Sequence, residues 1–115
     1  MGTAQDAGAR AEDDALRMLI GRGMTQVGRN YRCRGGEIDL IMRDGAHLVF
    51  VEVRFRRRRD FGGALSSIDR RKRERLVTAA QHYLATHAWR GPCRFDVVAF
   101  DGRDECHWIR DAFGT

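Results

Sequence analysis

Apolar residues recur along this chain with two different periods, and each change of period marks an element. In GARAEDDALRMLIGRG, from Gly8 to Gly23, Ala15, Leu16, Leu19 and Ile20 share a face at helical spacing, and the closing glycines supply a stop. Residues 1–7 carry no such pattern and are expected to form a loose N-terminus. Met24 to Arg34 reads as a weak strand or two short extended pieces, and Glu37 to Arg43 as a better strand. Asp44 and Gly45 are the strongest turn signal in the DGAH that follows. Leu48 to Phe55 is the best strand of the chain. Val49, Val51 and Val53 line one of its faces, and Phe50, Glu52 and Arg54 the other.

RRRRDFGGALSS reads as a loop, after which Ser66 or Ser67 can cap a second helix whose start Asp69 strengthens. That helix runs to about His87 on a stripe of Leu76, Ala79, Ala80, Tyr83 and Leu84. The only proline, in GPC, breaks the chain. Arg94 to Phe100 is a strand, DGRD a turn and Glu105 to Ile109 a last strand, with Ala112 and Phe113 able to pack as a tail. The order helix, three strands, helix, two strands predicts one α/β domain over 1–115, a single mixed sheet flanked by helices. A chain of 115 residues that is 43% hydrophobic suits one domain with one core.

Asp39 and Glu52 interrupt this pattern, because both fall inside strands. Side chains directly opposite in an antiparallel hairpin share a face. A four-residue loop from Asp44 to His47 sets Arg43 opposite Leu48, and Asp39 then falls opposite Glu52. A two-residue loop leaves the acids diagonal on one face, and a three-residue loop sends them to opposite faces. Carboxylates brought together repel and lose hydration. A divalent cation such as magnesium or manganese would resolve both costs, since it takes oxygen ligands and can bridge carboxylates to a phosphate. The plainer reading is an edge hairpin whose solvated acids discourage aggregation. Glu12 extends the apolar face of the first helix, although an acid in a first turn also suits the helix dipole.

Charge sharpens the picture. The net charge is +5, and ten basic residues lie between Arg54 and Arg75 against Asp60, Asp69 and Glu74. A concentration of this kind suits a polyanion, usually nucleic acid. Arg56, Arg57, Arg58, Arg59, Arg70, Arg71, Lys72 and Arg73 are the candidate backbone contacts. Lys72 is the only lysine among 21 basic residues. It either belongs to the solvated basic face or reaches the acids from the second helix. Cys33, Cys93 and Cys106 are odd in number and widely spaced, which argues against a disulfide framework or a zinc site. With no signal peptide or long apolar run, a cytoplasmic protein without membrane contact is expected.

The string NYRCRGGEIDLI…LVFVEVR, from Asn30 to Arg54, resembles the YraN-like family of small bacterial proteins. So do GARAEDDAL before it, DRRKRERLVTAAQHYL after it and RFDVVAF near the end. That family is similar to the restriction-endonuclease-like superfamily with its D…(D/E)xK motif, and to archaeal Holliday-junction resolvases. The resemblance implies a restriction-endonuclease-like fold and a phosphodiester-cleaving ancestry on DNA. It also implies that Asp39 and Glu52, with the main-chain carbonyl of Val53, hold magnesium or manganese, and that Glu12 is a further ligand or water anchor. Arg54 stands where the motif has lysine. An arginine stays protonated, so it can hold a phosphate but is no base. The same fold could therefore serve as a non-catalytic nucleic-acid-binding module. A homodimer would suit a resolvase-like task.

Overall fold

The computed structural model describes residues 4–55, 70–100 and 106–114, with side chains from residue 8 onward. Its elements follow in the order α1 (Ala4–Gly21), β1 (Thr25–Cys33), β2 (Gly36–Asp44), β3 (His47–Phe55), α2 (Arg70–His87), β4 (Cys93–Phe100) and β5 (Cys106–Ile109). The five strands form one open sheet in the order β1-β2-β3-β4-β5. All neighbours are antiparallel except β3 and β4, which run parallel because the α2 crossover returns the chain to the same end. The expected mixed α/β sheet is thus the architecture, and it is consistent with a restriction-endonuclease-like fold.

The helices cover opposite faces of the sheet. On one side α1 contributes Ala15 and Leu19 to a buried cluster with Leu40, Met42, Val49, Val51 and Val98. On the other, Leu76, Ala79, Ala80 and Tyr83 of α2 pack on Ile38, Ile41, Leu48, Phe50 and Phe95. Coverage of both faces explains why Leu48 to Val51 is buried without interruption. Gly36 is where α2 comes closest to the sheet. A Cβ there would collide with the Arg75 carbonyl and the Ala79 backbone.

Three local expectations change. The helical backbone of α1 begins at Ala4, upstream of Gly8 and inside the stretch expected to be loose. Ile20 is 49% exposed, so the buried face of α1 runs through Ala11, Ala15 and Leu19 instead. The weak strand before Gly35 is one continuous element, β1, with a bulge between Gln26 and Gly28 that turns Val27 outward. The Ser66 or Ser67 cap, Asp69 and the DGRD turn lie outside the described residues.

Candidate functional site

The register of the β2–β3 hairpin decides where the acids stand. Arg43 lies opposite Leu48, as in the register that brings Asp39 to Glu52. The turn is tighter than the four-residue loop, since Asp44 pairs with His47 and Gly45 takes a left-handed φ of 60°. Pairing then runs outward to Leu40 opposite Val51 and stops there. Beyond that point β2 stays with β1, as Ile38 does with Tyr31, while β3 stays with β4, as Glu52 does with Val97. The sheet forks. Asp39 and Glu52 are the first residues past the split, one on each prong.

Side-chain packing marks the same place. Ile38 belongs to the α2-side cluster, Leu40 to the α1-side cluster and Ile41 again to the α2 side. The two-residue alternation of a regular strand therefore slips at Asp39. Where a ladder hydrogen bond is missing, the Val53 N–H donates instead to the Asp39 carboxylate at 2.8 Å. The sequence places an acid at this position because a short acceptor is what the open end of the ladder needs.

The two carboxyl groups reach each other by hydrogen bond, and both are largely buried. Burial pushes Asp39 above the ordinary carboxylate range, and the charge of Glu12 adds to this while the Val53 N–H opposes it. Glu52 is pushed up to about 8, by burial first and by the Asp39 charge second, against the opposing pull of Lys72 and Arg54. The raised pKa favours a proton on the pair, which relieves the repulsion of two buried anions. The Arg54 guanidinium stands 3.7 Å from the Glu52 carboxylate, and both side chains are 14% exposed.

Glu12 reaches the fork from α1, where its charge is felt by Asp39, but it already has a partner. Arg29 of β1 lies 3.4 Å from Glu12 and 2.7 Å from Asp13. Sequence reasoning passed over Arg29, since nothing local in RNYR marks a partner 17 residues away. On the other side of the sheet Arg70, Arg71, Lys72 and Arg73 form the exposed start of α2, and Lys72 acts on Glu52. The structure thus gathers Glu12, Asp39, Glu52, Val53, Arg54 and Lys72 at one end of the sheet. Arg56, Arg57, Arg58 and Arg59 lie outside the described residues.

A second polar network, also missed, starts from Asp96, which pairs with Val51 on β3, and runs toward the hairpin end. Asp96 is fully buried in β4 and accepts from Arg94, from the Trp108 indole at 3.0 Å and from the Asp111 N–H at 3.0 Å. Arg94 also reaches Asp44 at 2.9 Å, tying the hairpin end to β4. These acids are satisfied by fixed donors, and this network reads as structural. The acid inside the apolar RFDVVAF was the available signal.

Chemically the fork offers hard oxygen donors. Two adjacent carboxyls that share a proton can exchange it for a divalent cation. Among the described residues no three His, Cys, Asp or Glu side chains are set so that they could hold a metal ion by themselves, so an ion on Asp39 and Glu52 would need other oxygens to complete its shell. Among the described residues, too, no helix is long and apolar enough to cross a membrane.

Fold and site together define a small α/β protein with one sheet and a coupled carboxyl pair where two strands part. The chain belongs to a family described as "Uncharacterised protein family UPF0102", whose profile matches residues 11–100. This is the YraN-like family that the motifs resemble. A UPF0102 protein of Cupriavidus taiwanensis is 58% identical over 111 residues, 95% of this chain and 83% of the relative. One from Janthinobacterium sp. is 52% identical over 108 residues, covering 94% and 87%. One from Pseudomonas fluorescens is 48% identical over 120 residues, covering 99% and 98%.

Proposed function

We propose that this chain binds DNA and hydrolyses its phosphodiester bonds with the help of magnesium or manganese, on branched or processing intermediates. The observation that carries this reading is the partly buried carboxyl pair, Asp39 and Glu52, at the mouth of a fork beside an exposed basic helix start. A buried carboxyl pair is costly unless something positive occupies it. The donors suit a hard divalent ion, with the Val53 carbonyl, waters and phosphate oxygens as the remaining ligands. When bound, the ion would neutralise charge on the phosphate and make a water more nucleophilic. Asp39 is oriented for this by the Val53 N–H, and Glu52 by Arg54 at 3.7 Å. Glu12, held by Arg29, anchors solvent on the α1 side. Arg70, Arg71 and Arg73, together with Arg56 to Arg59, hold the phosphate backbone and read little sequence.

The resemblance to the D…(D/E)xK nucleases supports the same reading. One feature favours a second: Arg54 in place of the motif lysine suits a module that binds DNA without cutting it. A plasmid-nicking assay with magnesium or manganese, beside Asp39→Ala, separates the two. Metal-dependent nicking that Asp39→Ala abolishes is the expected result. Protein that shifts DNA but never nicks it, with or without Asp39, leaves the binding module. Cutting both strands of a junction calls for two copies of the chain, which light scattering with and without DNA measures.

A further inference from the structure

Lys72 is placed to do more than hold DNA. It lies four residues before Leu76, so the two share a face of α2. Leu76 is buried against Ile38, Ile41 and Phe50. Phe50 is two residues before Glu52, so Phe50 and Glu52 share the face of β3 that α2 covers. Following the two faces outward together brings Lys72 over Glu52. The close approach of α2 to β2 at Gly36 fixes the helix at that height. The field of Lys72 at Glu52 agrees with this placement, ranking ahead of that of Arg54.

The two cations are not equivalent. Arg54 is 14% exposed and lies along Glu52, so it buttresses the acid from within the sheet. Lys72 is exposed in the first turn of α2, on the helix that covers the Phe50 face of β3. Its amine is a compact charge with rotatable donors, whereas a guanidinium is a fixed planar fork. Twenty of the 21 basic residues are arginine, and the exception stands at this one position.

We propose that Lys72 is the catalytic amine of the site, supplied from α2 in place of the one missing from β3. This rests on the nuclease reading. The Lys72 ammonium hydrogen-bonds a non-bridging oxygen of the attacked phosphate and offsets the charge that builds there. The water oxygen forms the new P–O bond and one ester P–O bond breaks. The proton lost by the water ends on the departing ester oxygen.

The test combines four variants with two readouts. With saturating DNA and manganese, Lys72→Met and Lys72→Arg should each cut about 100-fold more slowly than wild type. Arg90→Met, away from the proposed site and DNA contacts, should leave the saturated rate within about 3-fold of wild type, as an ordinary surface substitution does. Lys72→Met combined with Arg54→Lys should recover most of the lost rate, because the amine returns from the other wall of the fork. In the absence of DNA, Lys72→Met should bind manganese about 5-fold more tightly, since a nearby positive charge is removed. Arg90→Met, at the hairpin end, should not change that affinity. Full-rate cutting by Lys72→Met or Lys72→Arg overturns the inference and leaves the nuclease reading standing. Unchanged manganese affinity in Lys72→Met overturns it as well. A wild type that binds manganese yet cuts nothing overturns the nuclease reading itself, and the catalytic role of Lys72 with it.

Discussion

At the scale of single residues, the coupled acids set a stability profile of unusual sign. Glu52 ionises near 8 when folded, against an ordinary 4.5 when exposed. The folded state therefore binds its proton more tightly. Stability is full below pH 4.5 and falls as pH rises through 8. Without divalent ions, Glu52→Gln should match wild type near pH 4 and exceed it above pH 8 by about 1–3 kcal/mol, read from urea melts. Added manganese should reverse the order, because only wild type gains from binding the ion. Equal melts at all pH values would mean that the pair is solvated. The two acids were legible in the sequence because a turn and a two-residue period are local information. Arg29 and Asp96 were not, since their meaning depends on partners that only the folded sheet brings near. The slip in alternation at Asp39 was equally invisible, as a regular period gives no hint of where a ladder ends.

Elements carry two further expectations. Gly36→Ala should cost about 1–3 kcal/mol in chemical denaturation, since the added methyl meets helix backbone that has no room to yield. The same change should open the fork by lifting α2, and so weaken manganese binding. At the other end of α2, Ala88 closes the helix with a φ of 53°, a left-handed conformation that costs an L-residue about 1 kcal/mol. Ala88→Gly should recover about 0.5–1 kcal/mol and raise the melting temperature with no effect on the site. Helix and strand identities followed from periodicity alone. The length of β1 did not, because a bulge at Val27 breaks the pattern that would have announced it. The start of α1 was missed for a related reason: small and polar residues can be helical without showing an apolar stripe.

For the molecule as a whole, charge and topology point the same way. The basic start of α2 and the carboxyl pair occupy one end of the sheet, with α1 below and α2 above. On the proposed reading, nucleic acid drawn to that end would meet cations first and the acids second. Replacing Arg70, Arg71 and Arg73 with Gln should flatten the plot of log affinity against log salt by about 2–3 units, roughly one per lost phosphate contact. An unchanged slope would mean that DNA lies elsewhere.

The short bend at Gly45 has a consequence out of proportion to its size. It acts like a reading frame for β3: adding or deleting a single amino acid there puts Glu52 out of phase with Asp39, however sound every other part of the protein remains. Two added residues restore the phase. Chains that carry odd-numbered indels at this spot should thus keep their fold's ingredients and forfeit their chemistry, while even-numbered ones are forgiven.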